Sequence, residues 1–482
     1  MAGGMELWAI IPELLLAGLV LVLLPLGSLL PEQRKGVATW VALAGLTVAA
    51  FFSARMLNWP VQPIFLGTYV VDPFAVFFKV FALLATAFVL LATHSHFAGR
   101  PHAGSVPALL VLTCLGLLGL AASQDLALIA LFVQLVTVGS YILVGIAKDD
   151  FRATEGALKL FLFSAAAGAV MLYGMTLLFG LTGTLRLPEL AARLPAAPLV
   201  TMLAGLGLLL VGYGYKITLV PFHAWAPDTY QGAPTPIAGF LSVGPKAAGL
   251  AVLMRTLLVA FPHGLGNWPI GIAVLAALTM TLGNVFALRQ TSAKRLLAYS
   301  SIAQAGYLLV GVAAAGRSAL AIPGFLVYLA VYLFMNLGAF LAVDAIERQI
   351  GVDDLRQFGG LGRTLPVASA VLALGLLSLA GFPPLGGFVG KTMLFGAALG
   401  AGWVWLAAIM SLNVAVSLYY YVQILQPLYF QGASGKVLAP EPPLLRLALV
   451  ILGLGTLASG VLPQPWVALA DQAATVLNGV AR

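Results

Sequence analysis

The sequence predicts an all-α polytopic membrane protein of about 14 transmembrane helices, because apolar stretches of roughly 20 residues, one bilayer core in length, recur from end to end. Composition agrees: 61% of residues are hydrophobic and 8% are charged, whereas a soluble domain carries about 25% charged residues. A third observation concerns symmetry. Two of the apolar stretches are interrupted by proline or glycine beside a lysine, Lys216 before Pro221 and Lys391 after Pro383-Pro384 and Gly386-Gly387.

The segments fall in order at 7–30, 37–57, 73–93, 105–122, 126–147, 157–182, 199–220, 235–260, 268–288, 295–315, 319–346, 366–400 (broken), 403–430 and 444–462. The first is too long for a signal-peptide core and no small-residue cleavage site follows it, so it reads as a span. Residues from Pro463 onward read as an interfacial helix. Odd-numbered connections hold about 13 Lys and Arg residues, among them Arg34, Lys35, Lys294, Arg348 and Lys436; even connections and the C-terminus, with Arg482, hold about 6. Positive loops face the cytoplasm, which puts both termini on the non-cytoplasmic side.

A repeat is visible too. Gly139-Ser-Tyr-Ile-Leu-Val-Gly145 in helix 5 is echoed by Ala305-Gly-Tyr-Leu-Leu-Val-Gly311 in helix 10, and each is followed two helices later by a break with a lysine. An offset of five helices inverts the second copy, and inverted repeats with matching broken helices point to a transport site. The organisation is therefore 1–104 (helices 1–3), 105–260 (first repeat, helices 4–8), 261–430 (second, inverted repeat, helices 9–13) and 431–482 (helix 14 and the C-terminal segment).

Several function classes drop out. The net charge of +8 is scattered through short loops and forms no stripe, so no nucleic acid partner is expected. Cys114 is the single cysteine; with no CxxC and no metal-spaced Cys/His set, this chain is expected to hold no iron–sulfur cluster and no metal. No P-loop or GxGxxG in a βαβ context is present, so no nucleotide cofactor is expected.

Chemistry is expected instead from lysines inside the apolar runs. A charge at bilayer depth costs roughly 2.5–3.5 kcal/mol on insertion scales, and such residues usually face a bundle interior or a water-filled path. Lys216 precedes a proline that opens the helical ladder, freeing carbonyls that solvate an ammonium. Lys246 lies about 16 Å into helix 8, near mid-membrane. Lys391 follows a proline- and glycine-rich stretch that is not continuous helix. These three are the candidate proton-transfer residues.

Other polar groups stay open between two readings. Lys79 either belongs to the proton route or is structural, snorkelling or pairing with Asp72, and Lys159 pairs with Glu155 one turn earlier. Glu13 contacts a neighbouring subunit or reaches headgroups. His223, in the first break, is a candidate proton relay or a cap for freed carbonyls. His94, His96 and His102 read as solvated rather than metal-binding. Tyr419-Tyr420-Tyr421 lines a polar passage or anchors at an interface, and Asp344 is a helix-end group near Glu347 and Arg348.

The stretches Lys216-Ile-Thr-Leu-Val-Pro-Phe-His-Ala-Trp-Ala-Pro-Asp, Lys294-Arg-Leu-Leu-Ala-Tyr-Ser-Ser-Ile-Ala-Gln and Ser378-Leu-Ala-Gly-Phe-Pro-Pro-Leu-Gly-Gly-Phe-Val-Gly-Lys391 resemble the antiporter-like membrane subunits of respiratory complex I. Ser417-Leu-Tyr-Tyr-Tyr-Val-Gln-Ile-Leu and Pro12-Glu13-Leu-Leu are similar to subunit N of NADH-quinone oxidoreductase in particular. The resemblance implies a proton-translocating subunit with two half-channels joined by hydrated lysines, coupled to quinone reduction elsewhere. It also implies that quinone, FMN and iron–sulfur clusters belong to other subunits, that other membrane subunits are partners, and that the location is the cell inner membrane. Lys216 would hold and release the proton, Lys246 would connect, and Lys391 would serve the second half-channel.

Two departures stand out. Gln134 occupies the position of the family's helix 5 glutamate, where it can hydrogen-bond Lys216 but supplies no counter-charge; Asp125 and Glu155 are candidate compensators. Gln304 stands where subunit N commonly has histidine in helix 10. The alternatives are a subunit of a multi-subunit cation/proton antiporter or membrane-bound hydrogenase, or a structural spacer with a disabled channel.

Overall fold

The computed structural model describes residues 7–100, 102–261, 267–432 and 439–481. Lys436 and Arg482, both counted in the loop charge bias, lie outside the described residues. The helices are α1 (Ile11–Leu29), α2 (Gly36–Arg55), α3 (Pro73–His96), α4 (Ser105–Ala122), α5 (Leu126–Val144), α6 (Phe151–Thr182), α7a (Leu199–Ile217), α7b (Trp225–Gly232), α8 (Thr235–Ala260), α9 (Trp268–Ala287), α10 (Ala293–Ala314), α11 (Ala321–Ile350), α12a (Pro366–Ala380), α12b (Gly386–Gly400), α13 (Val404–Phe430), α14 (Pro443–Val461) and α15 (Gln464–Ala481). Among the described residues, 13 helices are long and apolar enough to cross a membrane. The broken α12 pair completes the expected set.

Helix starts follow local chemistry. Asp72 accepts from Ala75 N at 2.7 Å at the start of α3, Asp125 from Ala127 N at 2.9 Å at α5, and Ser292 from Arg295 N at 3.2 Å at α10. A short polar acceptor at the N-cap satisfies amides the helix leaves unpaired.

One departure from an all-α chain is a small antiparallel hairpin, β1 (Gln62–Ile64) and β2 (Tyr69–Val71). Pro60 and Pro63 cannot continue α2, and the β-branched Val70-Val71 favours extended backbone.

Connections alternate between two ends. At one, His96 at the end of α3 bonds Asp344, and Lys294 at the start of α10 bonds Glu347, both near the end of α11. At the other, Tyr69 bridges Ser123 and Asp125 bridges Arg186. The third, ninth and eleventh connections therefore gather at one end and the second, fourth and sixth at the other.

The core lies along α8, α10 and α11, which are almost wholly buried, while α1, α2 and α13 keep broad outward faces. Small residues allow the close approach that membrane helices depend on. A Cβ on Gly306 would lie 2.4 Å from the Met280 amide nitrogen, and one on Gly283 would lie 2.6 Å from that of Ala303. The pairing of α9 with α10 thus excludes larger side chains at both positions.

Candidate functional site

Both breaks share one backbone pattern. α7a ends at Thr218 in the left-handed region (φ 62), and three residues later comes the cis peptide Val220–Pro221. α12a ends at Gly381 (φ 88), followed three residues later by cis Pro383–Pro384. At each break the last carbonyls of the first half-helix lose their intrahelical partners. Tyr215 O accepts from Trp225 Nε1 at 3.2 Å. Leu379 O and Ala380 O accept from Lys391 Nζ at 2.6 and 3.4 Å. An ammonium at a helix C-terminus also meets the negative end of the macrodipole. That is a local reason for a lysine at this point in the sequence.

All three candidate lysines are buried: Lys216 is 7% exposed, Lys246 1% and Lys391 5%. Lys216 Nζ donates to Thr137 Oγ1 of α5 at 3.0 Å, and its stem packs where Gly249 of α8 leaves room. Lys246 Nζ donates to Ser301 O at 2.6 Å and to the Ser301 hydroxyl. Lys391 Nζ also sits 4.3 Å from the Tyr307 ring centroid. The described acceptors are hydroxyls and carbonyls.

A polar chain reaches the third lysine from the residue next to the second lysine's acceptor. Ser300, adjacent to Ser301, meets Tyr421 OH at 2.5 Å, and Gln304 Nε2 donates to Tyr421 OH and to Leu379 O, each at 3.2 Å. Leu379 O is the carbonyl that also accepts from Lys391. Tyr328 OH donates to Gln304 Oε1. Gln304 is therefore a fully engaged hub between α10, α11, α12a and α13. Of the tyrosine run, Tyr420 and Tyr421 are fully buried and Tyr419 faces outward. Sequence reasoning left Tyr421 open and passed over Thr137, Ser300, Ser301 and Tyr328. The placement of Ser300 one helical turn before Gln304, on one face of α10, was the available signal.

Gln134 does not hydrogen-bond Lys216. It is exposed on α5, and its amide nitrogen lies beside Gly168 of α6; Thr137, almost one turn further on, reaches the lysine instead. Both proposed compensators are engaged elsewhere: Asp125 caps α5, and Glu155 holds Lys159 at 2.7 Å. His223 is half-buried in the first break, its ring 6.4 Å from that of Phe286 and its Nδ1 without a partner among the described residues.

Lys79 pairs with Glu13 at 2.8 Å, not with Asp72, and Glu13 also accepts from Tyr69 OH at 2.7 Å. Asp72 is already held by Arg255 and by its own helix cap, which turns it away from Lys79. His96 is not solvated: it bonds Asp344 at 2.7 Å, and Arg348 holds the same carboxylate at 2.8 Å. Lys159 reaches beyond Glu155 to Asp228 of α7b at 2.5 Å, and Asp228 also accepts from Arg295 of α10. Beside this network lies a cavity of about 290 Å³ whose lining includes His96, Asp150, Lys294, Asp344 and Glu347.

A bundle with two broken helices and lysines on carbonyls and hydroxyls defines a class of ion-translocating membrane proteins. The transmembrane family described as NADH:quinone oxidoreductase/Mrp antiporter matches residues 123–417, and the chain belongs to it. It is 38% identical to NADH-quinone oxidoreductase subunit N of Trichlorobacter lovleyi over 97% of both chains. It is 40% identical to subunit N 2 of Sorangium cellulosum over 93% of this chain and 94% of that one. Among solved structures, a chain of respiratory complex I from Thermus thermophilus with bound aureothin superposes with a TM-score of 0.82 at 33% identity, covering 96% of this chain and all of that one. A chain of the Mrp complex from Dietzia shares the fold, with a TM-score of 0.88 at 22% identity over 98% of each.

Proposed function

We propose that this chain is a proton-translocating membrane subunit of an NADH-quinone oxidoreductase of the complex I type. It carries out no redox chemistry itself. Flavin, iron–sulfur clusters and quinone reduction reside in partner subunits, and a conformational or electrostatic signal from them drives proton movement here. The chain sits in the cell inner membrane with both termini outside the cytoplasm, and 105–260 and 261–430 act as inverted copies.

The observation that carries this reading is the arrangement of three buried lysines, each on a hydroxyl or a carbonyl, with Ser300, Tyr421, Gln304 and Leu379 O forming a polar chain that ends on Lys391 and starts beside Ser301, the acceptor of Lys246. Such acceptors stabilise an ammonium without fixing it as a permanent ion pair, so a proton can be taken up and given away. Lys216 holds the first proton, Lys246 passes it along α8, and Lys391 serves the second break. His223 is a relay at the edge of the first.

The test is the proton-to-electron ratio of the assembled complex in proteoliposomes, with Lys216→Met and Lys246→Met introduced separately. Each is expected to lower the ratio while the complex still assembles. Unchanged stoichiometry in both variants overturns the assignment.

A further inference from the structure

A histidine–carboxylate pair stands at the end of the bundle that carries the third, ninth and eleventh connections, the cytoplasmic end by the loop charges. His96 Nδ1 meets Asp344 Oδ1 at 2.7 Å, and Asp344 is fully buried. Arg348 holds the other carboxylate oxygen and is itself fixed by Ser95 Oγ at 3.0 Å and Ala92 O at 3.1 Å. A carboxylate held this way fixes the ring and its tautomer, leaving Nε2 as the basic nitrogen. His96 lines the 290 Å³ cavity with 11% of its side chain exposed, and its Nε2 makes no hydrogen bond among the described residues. Around that cavity Arg100, Lys294 and Arg348 offset Asp150, Asp344 and Glu347. The walls thus favour neither an anion nor a metal cation, and the imidazole is the group left to titrate.

A polar stripe runs inward from the cavity. On α11, Tyr332, Asn336, Phe340, Asp344 and Arg348 recur every fourth residue and share a face; on α8, Thr235, Gly239, Ser242 and Lys246 do likewise. The two stripes meet twice. Thr235 Oγ1 donates to Glu347 at the mouth, and Asn336 Nδ2 donates to Ser242 Oγ at 2.7 Å, one turn short of Lys246. Between these contacts Phe340 packs on Gly239, where an added Cβ would lie 3.0 Å from the Phe340 Cβ. Two buried polar atoms near Phe340 have no hydrogen-bond partner among the described residues: Asn336 Oδ1, and the hydroxyl of Tyr230, whose ring lies 6.2 Å from that of Phe340. Buried polar atoms of this kind take water as their partner.

We propose that His96 collects protons from the cytoplasmic side and that the α8–α11 seam delivers them to Lys246, past the apolar step at Phe340. The proton adds to Nε2 from bulk water or buffer, and Asp344 stabilises the imidazolium. It then leaves for water in the seam, which regenerates the neutral ring, and reaches Lys246 by way of Asn336 and Ser242. This inference rests on the proton-transfer reading of Lys246.

The assembled complex in proteoliposomes tests it, with pumping rate followed against the pH of the cytoplasmic side. His96→Gln keeps a donor for Asp344 and cannot titrate. It is expected to pump like wild type at mildly acidic pH and roughly threefold more slowly at alkaline pH, where proton supply limits. Imidazole buffer is expected to restore the alkaline rate. Asn336→Leu, deeper in the seam, is expected to show the same alkaline deficit without relief by imidazole. A wild-type or pH-independent profile in either variant overturns the proposal, as does a His96→Gln deficit that imidazole leaves untouched. In the Lys246→Met background His96→Gln is expected to add nothing; a further loss there overturns the route to Lys246. Normal pumping by Lys246→Met alone would instead sink the proton-transfer reading, so the two failures are distinct.

Discussion

Removing Arg255 tests whether the bundle is dry where α3 meets α8. Its guanidinium donates to Asp72 through two hydrogen bonds of 2.8 and 2.9 Å, and neither side chain is more than 2% exposed. Arg255→Met keeps the apolar bulk and strands the Asp72 carboxylate, leaving it the Ala75 amide at 2.7 Å. Breaking a buried pair from one side costs about 3–5 kcal/mol, which is roughly a 150- to 5000-fold fall in the folded-to-unfolded ratio. Asp72→Asn retains the helix cap and carries no charge, so the double variant is expected to recover to within about 2 kcal/mol of wild type. Equilibrium unfolding of the full chain in mixed detergent micelles, followed by tryptophan fluorescence, measures all three variants. A cost below about 1 kcal/mol for Arg255→Met, the range of a solvated pair, would refute the reasoning.

Three further outcomes concern transport. Tyr421→Phe removes the hydroxyl that joins Ser300 to Gln304. It is expected to cost about 1–3 kcal/mol in stability and to lower the proton-to-electron ratio with electron transfer retained; full stoichiometry takes Tyr421 out of the path. Thr137→Val deletes the acceptor of Lys216 without changing side-chain size, so pumping is expected to fall while Thr137→Ser preserves it. Equal loss in both variants would point to packing, not to the hydroxyl. Gln134→Glu places a charge on an exposed face of α5, away from the lysine, and is expected to leave stoichiometry unchanged. A clear rise would place that residue against Lys216 after all.

The spans and both breaks were legible because bilayer thickness fixes segment length and because proline and glycine act on the backbone locally. The lysine partners were not. Thr137 is 79 residues from Lys216, Ser301 is 55 from Lys246, and Leu379 contributes a carbonyl that leaves no mark in its side chain. Proximity in sequence misled once. Asp72 precedes Lys79 by two helical turns, yet its partner is Arg255, 183 residues away. The hairpin before α3 escaped notice because two strands of three residues carry too little alternation to read.

Asp228 has a mechanical implication beyond its local bonds. One carboxylate on α7b receives Lys159 from α6 and Arg295 from α10, so it ties the first break to the very helix that bears Ser300, Ser301 and Gln304. It is one of several ties between the two halves, and the one that sits at the first break; without its negative charge Lys159 keeps Glu155 and Arg295 keeps the neutral amides of Gln231 and Gln290. Movement at the first break would then be felt along α10, the helix that also reaches the second break through Gln304 and the Leu379 carbonyl.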